Sequence, residues 1–286
     1  MGKIVLTAYI SHGAPTLLTE RSKIHDVYED LGGALEGRGV DTVVISSPHY
    51  FSRDRFEVES RECIPCIQDY LGFPQELYKF SYEARNNLNL VSEILVQSKS
   101  IGIEPMKSQL WGLDHGAWLP LHFMFPKRDV KVVPVSIADA SPGDHFKFGA
   151  AIKSAVEKID GTVAVIGTGS PLHRLDLIRY GYYGEERFKP GESFDKELIT
   201  IIRSGDFEKV QNIQNEFPSL FRAAAPEGSL SPLYFALGAS DRKDFIGETV
   251  LHEFMYYGVS LVAMILSAEK GVRNSLASFE TDRVTA

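Results

Sequence analysis

Cysteine is scarce in this sequence: Cys63 and Cys66, spaced as a CxxC pair, are the only two in 286 residues. That count excludes a disulfide framework and makes a reducing cytoplasm the expected home. A redox CxxC usually opens a helix after a strand, whereas this pair leads into Gln68-Asp69-Tyr70, so no role is assigned to it. Basic runs are missing too. The formal net charge is -8 and no Lys/Arg block interrupts the chain, which excludes the concentrated basic footprint of a nucleic-acid-binding surface. An anionic substrate stays open, because one or two arginines create a local positive site in an acidic protein. No stretch approaches the ~18 consecutive apolar residues of a membrane span, and the apolar opening, residues 1–10, is too short for a signal segment with its cleavage site. There is neither an internal repeat nor a low-complexity segment.

What is present has the profile of an ordinary folded domain, 44% hydrophobic and 24% charged. The continuous apolar run Lys3–Ile10 predicts a buried strand. Helical spacing follows over residues 24–35, then a β-branched run over residues 41–47, an order that predicts a parallel strand–helix–strand unit. Residues 61–82 are rich in Pro, Gly and aromatics without a clean period, and read as a long ordered loop covering something. Helices are expected near residues 83–98, 143–158, 194–203, 207–214 and 230–237. Strands are expected near 103–107, 130–137 and 162–167, with a terminal strand pair at 249–254 and 260–266. The expectation is one α/β domain over residues 1–270, with a central mixed, largely parallel sheet flanked by helices. The active site would lie at the strand C-terminal edge, and residues 271–286 would form a poorly ordered tail.

Three histidines share a context. His12 follows the first strand as Ser11-His12-Gly13-Ala14-Pro15, His49 follows the second as Ser46-Ser47-Pro48-His49-Tyr50, and His173 follows residues 162–167 within Gly169-Ser170-Pro171-Leu172-His173. Strand C-terminal edges are where open α/β sheets form ligand crevices. One such histidine is best read as a turn cap, but three at equivalent positions favour a site. Glu227, in Ala224-Ala225-Pro226-Glu227-Gly228, is the carboxylate candidate; a helix-start acid is its equally good structural reading. Two imidazoles plus a carboxylate suit oxygen-using Fe(II), although ligand type alone does not separate Fe from Zn or Mn. His115, in Asp114-His115-Gly116-Ala117-Trp118, is a candidate proton donor or polariser. His122 reads as a packed core residue, and His25, His145 and His252 carry no signal.

Four motifs, in order along residues 1–255, resemble class III extradiol ring-cleavage dioxygenases, the superfamily of the protocatechuate 4,5-dioxygenase beta subunit: Ser11-His12-Gly13-Ala14-Pro15, Ser47-Pro48-His49-Tyr50, Asp114-His115-Gly116-Ala117-Trp118-Leu119-Pro120-Leu121 and Gly167-Thr168-Gly169-Ser170-Pro171-Leu172-His173-Arg174. Gly39-Val40-Asp41-Thr42 and Asp160-Gly161-Thr162-Val163-Ala164-Val165 look like the homoprotocatechuate 2,3-dioxygenase branch. Gly72-Phe73-Pro74-Gln75-Glu76-Leu77-Tyr78 looks more like the DOPA-dioxygenase branch, which carries additional histidines around the position of Glu227; Ala-Pro-Glu-Gly stands here instead.

The resemblance implies His12, His49 and Glu227 as Fe(II) ligands, with His173 as catalytic acid/base and His115 as a second active-site histidine. It implies a small aromatic diol, catechol or homoprotocatechuate or similar, opened with O2 to a hydroxymuconic semialdehyde-type product. In that reading His173 accepts the second catechol proton and later returns a proton, and His115 polarises the substrate or a developing oxyanion. Trp118, Tyr50 and Arg174 are the foremost candidates for substrate contact, with Phe51, Tyr70 and Phe73 behind them; most aromatics are core residues, and Arg174 reads equally well as a contact to a substrate carboxylate or as a surface ion pair. A homo-oligomer is expected, with no nucleic-acid or membrane partner. The alternatives are a zinc-binding, hydrolase-like or non-oxygenase relative, a non-catalytic scaffold on this fold, and the catalytic beta subunit of a two-chain dioxygenase with a small alpha partner.

Overall fold

Residues along the central strands alternate between two helical layers. In the computed structural model, which describes residues 1–178 and 186–276, Val43 and Ile45 face one apolar cluster while Val44 faces the other. Ala164 and Ile166 likewise oppose Val163 and Val165. A strand buried on both faces needs a continuous apolar run, and these β-branched segments supply it.

In chain order the strands are β1 (Lys3–Ile10), β2 (Thr42–Ser52), β3 (Glu57–Glu59), β4 (Cys63–Ile64), β5 (Ala84–Arg85), β6 (Met106–Ser108), β7 (Lys131–Ala138), β8 (Thr162–Thr168), β9 (Phe245–Tyr256) and β10 (Val259–Ala268). Eight of them form one sheet in the order β6-β3-β7-β2-β8-β1-β10-β9, and β4 pairs only with β5. The centre is parallel: β8 runs between β2 and β1, and β7 lies beside β2. Antiparallel β10 and β9 close one edge, as the expected terminal pair, and β3 is antiparallel to β7 at the other. The α/β class and the mixed sheet are therefore as expected.

The helices are α1 (Lys23–Gly37), α2 (Leu88–Ser100), α3 (His115–Met124), α4 (Pro142–Val156), α5 (Lys189–Ser204), α6 (Phe207–Gln211), α7 (Ile213–Glu216), α8 (Pro218–Ala224), α9 (Ser231–Ala239) and α10 (Lys270–Leu276). On one face α1 and α3 contribute Ile24, Leu31, Leu119 and Leu121; on the other α2, α4, α5 and α9 contribute Leu90, Phe148, Leu198 and Phe235. His25 Nδ1 accepts the Ser22 N–H at 3.0 Å at the start of α1, His145 accepts from the Ala138 amide, and His252 pairs with Asp195 at 3.0 Å. All three hold structure together.

Some boundaries differ from expectation. The second helix begins at Leu88, because Ala84–Arg85 pairs with Cys63–Ile64 inside the segment read as a loop. The helix expected over 207–214 breaks at Asn212. The expected tail starts as α10, and its remainder, residues 277–286, lies outside the described residues. No helix among the described residues is long and apolar enough to cross a membrane.

Candidate metal centre and active site

The strand carrying His49 is longer than its apolar run suggests. Rather than ending before the histidine, β2 continues to Ser52, and its register against β7 skips: Ser46 faces Val135 and Phe51 faces Ile137. Pro48 has no N–H to give to a ladder, so the intervening residues bulge out of the pairing. Bulges of this kind re-aim side chains beside active sites. His12 and His173 do sit beyond strand ends, after β1 and β8.

Glu227 lies in a 3-10 turn, Glu227–Leu230. Around it Ala225, Ser229 and Leu230 have φ of 47°, 53° and 64°. Left-handed backbone at three non-glycine residues is costly and persists only where the surroundings over-determine it. Here Glu227 is fastened to Ser170 through both its carboxylate and its backbone. Ser170 donates its N–H to Glu227 Oε2 at 3.1 Å, and the Glu227 N–H donates to the Ser170 carbonyl at 3.0 Å.

The imidazoles converge on that carboxylate. His12 Nε2 is 3.1 Å from both oxygens, His49 Nε2 is 3.1 Å from Oε1, and His173 Nε2 is 3.6 Å from Oε1. The other ring nitrogens are taken: His12 Nδ1 meets the Gly13 carbonyl at 2.8 Å and His49 Nδ1 meets Asp69 Oδ2 at 2.6 Å. One ring nitrogen each of His12, His49 and His115 lie within 4.8 Å of one another. The close imidazole cluster is thus completed by His115, with His173 standing at the rim. Gly116 permits this closeness, since a Cβ there would collide with Ser47 Oγ and approach His12 Cδ2 to 3.3 Å.

The charges are strongly coupled. Burial alone would raise the Glu227 carboxyl, but the imidazoles of His12, His49 and His173 hold it well below the usual carboxylate range. Burial pushes the His49 imidazole down, yet its hydrogen bonds to Asp69 and Glu227 prevail and raise it to about 10. His115 and His173 are lowered, chiefly by burial. Buried imidazoles and an ionised carboxylate with inward-facing acceptor atoms are the donor set a divalent first-row metal takes, so these residues fit such an ion. A second group, His49, Asp69 and Asp114, does not fit as well. Asp114 caps α3, accepting from Ser47 Oγ at 2.6 Å and Trp111 Nε1 at 2.9 Å, and from the Ala117 amide.

Beside the cluster lies a cavity of about 290 Å³, lined by His12, Ser170 and His173 and by apolar side chains that include Leu71, Phe73 and Met255. The three substrate-contact candidates are not part of it. Trp118 is fully buried and donates its indole N–H to the Ile67 carbonyl at 3.0 Å. Tyr50 is turned to Glu57, at 3.2 Å, and stacks on Trp111. Arg174 is held by both Asp176 oxygens, at 2.7 and 2.6 Å, and by the Ala223 carbonyl. Each stands near one of the clustered histidines or His173 in sequence yet is engaged with other partners. Phe73, from the loop over residues 61–82, does line the cavity, and the Tyr70 ring lies 5.5 Å from that of His115. Asp69, between His49 and His115, was not singled out from sequence; the only hint was an acid flanked by Gln68 and Tyr70 in a segment already read as functional.

Residues 6–267 match the family described as the catalytic LigB subunit of aromatic ring-opening dioxygenase. A 4,5-DOPA dioxygenase extradiol of Beta vulgaris is 29% identical over 239 residues, 82% of this chain and 86% of that protein. A 3,4-dihydroxyphenylacetate 2,3-dioxygenase of Escherichia coli is 23% identical over 240 residues, 76% of this chain and 84% of that protein. The crystal structure of an uncharacterised protein from Escherichia coli K12 shares the fold, with a TM-score of 0.71 at 18% identity, covering 92% of this chain and 100% of that one.

Proposed function

The chain belongs to the LigB family of aromatic ring-opening dioxygenases, and from that premise we propose that it is an Fe(II)-dependent extradiol dioxygenase acting on a catechol-type ring with O2. Residues 1–270 act as one catalytic domain in this reading. The observation that carries it is the Glu227 carboxylate, buried and ionised, within 3.1 Å of the Nε2 atoms of both His12 and His49. Two imidazoles and one carboxylate form the set that holds ferrous iron while leaving positions open. When bound, the iron supplies the redox chemistry that lets triplet O2 react with a singlet aromatic ring.

The remaining work falls to the chain's own side chains. Apolar side chains of the cavity, Phe73 and Met255 among them, take the faces and substituents of a planar ring, and His12 and His173 line the same cavity. His173 is fixed by its backbone, which donates to the Ala224 carbonyl at 3.0 Å. Burial keeps its imidazole unprotonated near neutrality, so Nε2 takes the second catechol proton and later returns it during ring opening. The product is a hydroxymuconic semialdehyde-type acid.

The test is anaerobic loading with Fe(II), followed by oxygen-electrode and ultraviolet-visible assays over catechol, protocatechuate, homoprotocatechuate, DOPA and 2-aminophenol. A yellow product with stoichiometric O2 consumption, abolished in His12→Ala and Glu227→Ala, is expected. Absence of uptake with every ring, despite one bound metal per chain, overturns the proposal. The clustering of His12, His49 and His115 favours one other reading, a three-imidazole zinc site without oxygenase chemistry, which predicts that metal binding survives loss of the Glu227 charge.

A further inference from the structure

Asp69 touches two active-site histidines at once. It lies in the loop over residues 61–82, its side chain only 10% exposed. Oδ2 is 2.6 Å from His49 Nδ1, and Oδ1 is 3.0 Å from His115 Nδ1 and accepts the His115 backbone N–H at 2.8 Å. The loop is anchored independently. Gln68 Nε2 donates to the Tyr78 and Phe80 carbonyls at 2.6 and 2.7 Å, and the Ile67 carbonyl accepts from Trp118. Asp114, the other acid nearby, has both oxygens engaged in capping α3 and meeting Ser47 and Trp111.

We propose that Asp69 is a positioning residue whose single carboxylate sets the tautomer of both His49 and His115. An ionised carboxylate only accepts hydrogen bonds, so each imidazole facing it must carry its proton on Nδ1. The ring atom left over in each neutral imidazole is Nε2, with its lone pair free for a metal or a substrate proton. For His49 this is the form required of a ligand. For His115 it means that the neutral ring serves as an acceptor or additional metal donor, and not as the polarising donor expected from sequence.

An amide of the same shape cannot do this twice. In Asp69→Asn one oxygen can still accept from one imidazole and from the His115 N–H. The NH2 then faces the second imidazole and forces its proton onto Nε2, where it blocks the lone pair. Nothing else need move, because the loop's other hydrogen bonds do not involve the substituted atoms.

The role of His49 as a ligand rests on the metal-site reading above, whereas the tautomers do not depend on oxygenase chemistry, so the experiment separates the two. Zinc(II) is the metal probe, its affinity for wild type and Asp69→Asn measured by chelator competition, and histidine-selective 15N NMR of the metal-free proteins reads the tautomers. Wild type is expected to show Nδ1–H at both rings. Asp69→Asn is expected to lose one Nδ1–H signal and to bind zinc about 10–100-fold more weakly, the usual loss when a ligand's outer partner is removed. Asp69→Glu keeps an acceptor-only group and is expected to keep both signals, with affinity between the two. Asp69→Asn with both signals intact and zinc affinity within twofold of wild type overturns the proposal. If Asp69→Asn gives no cooperative melt, Asp69→Glu decides, and loss of either signal there overturns it equally. Failure of O2 uptake in all variants, with the tautomer shift present, defeats only the dioxygenase reading.

Discussion

Replacing Glu227 by Gln keeps the shape of the side chain and its contacts with Ser170 while removing the charge that the site is built around. The carboxylate is buried and 3.1 Å from two imidazoles, and it is held ionised well below its ordinary range. At this separation and an effective dielectric of about 20, a carboxylate and a single positive charge attract by roughly 5 kcal/mol. Desolvation offsets part of that, and breaking a buried pair typically costs about 3–5 kcal/mol. With 1.4 kcal/mol per decade, the expected rise in the Kd for Fe(II) or Zn(II) is about two to three orders of magnitude. Chelator competition at fixed pH measures it, and O2 uptake should fall to background at metal concentrations that saturate wild type. The metal-free proteins give a second readout. A carboxyl whose folded pKa is depressed contributes stability above its unfolded value, ~4.3, and loses it as pH falls through the folded value. The wild-type advantage in Tm should therefore be present at pH 7 and shrink as the pH enters the carboxylate range. A variant that binds metal like wild type refutes the assignment of Glu227 as a ligand and moves the site to the three imidazoles.

Other consequences can be checked with less machinery. His173→Asn should lower kcat about 10²–10⁴-fold, the usual worth of a positioned acid/base, with metal affinity unchanged. Because burial depresses the His173 imidazole below 6.5, kcat/KM in wild type should hold down to that value and fall only as the pH drops further, a limb the variant should lack. Adding EDTA should lower Tm, and restoring Fe(II) to 100-fold over its Kd should recover about 2.7 kcal/mol of stability. Gly116→Ala, whose Cβ meets Ser47 and His12, should cost about 1–3 kcal/mol by overpacking and weaken metal binding. Trp118→Phe should cost about 1–3 kcal/mol through its lost hydrogen bond to Ile67 and leave KM within twofold, as befits a core side chain.

Which parts of this molecule were legible in its sequence follows from how far each signal has to travel. The sheet was readable because β1, β2, β7 and β8 are buried on both faces, and such strands advertise themselves as unbroken β-branched runs. The ends of those strands were readable because Gly, Ser and Pro mark them, and two of the three histidines found there sit where expected. His49 sits in a bulge inside its strand, an arrangement that only the partner strand reveals. The three residues expected to touch substrate do not line the cavity beside the cluster, each engaged elsewhere. Tyr50, next to His49 in the same bulge, lands against Glu57 and Trp111. Three residues into α3, Trp118 sits fully in the core, and Arg174, beside His173, is drawn to Asp176. Adjacency in sequence to one of these histidines does not by itself place a side chain in the cavity. Asp69 shows the converse. It stands 20 residues from His49 and 46 from His115, in a segment with no period, and no local pattern announces it. A residue that orients two site histidines from across the fold is visible only once the chain has closed around them, so histidines found by motif should be followed outward, through the nitrogen that each does not offer to the site, to the group that holds it.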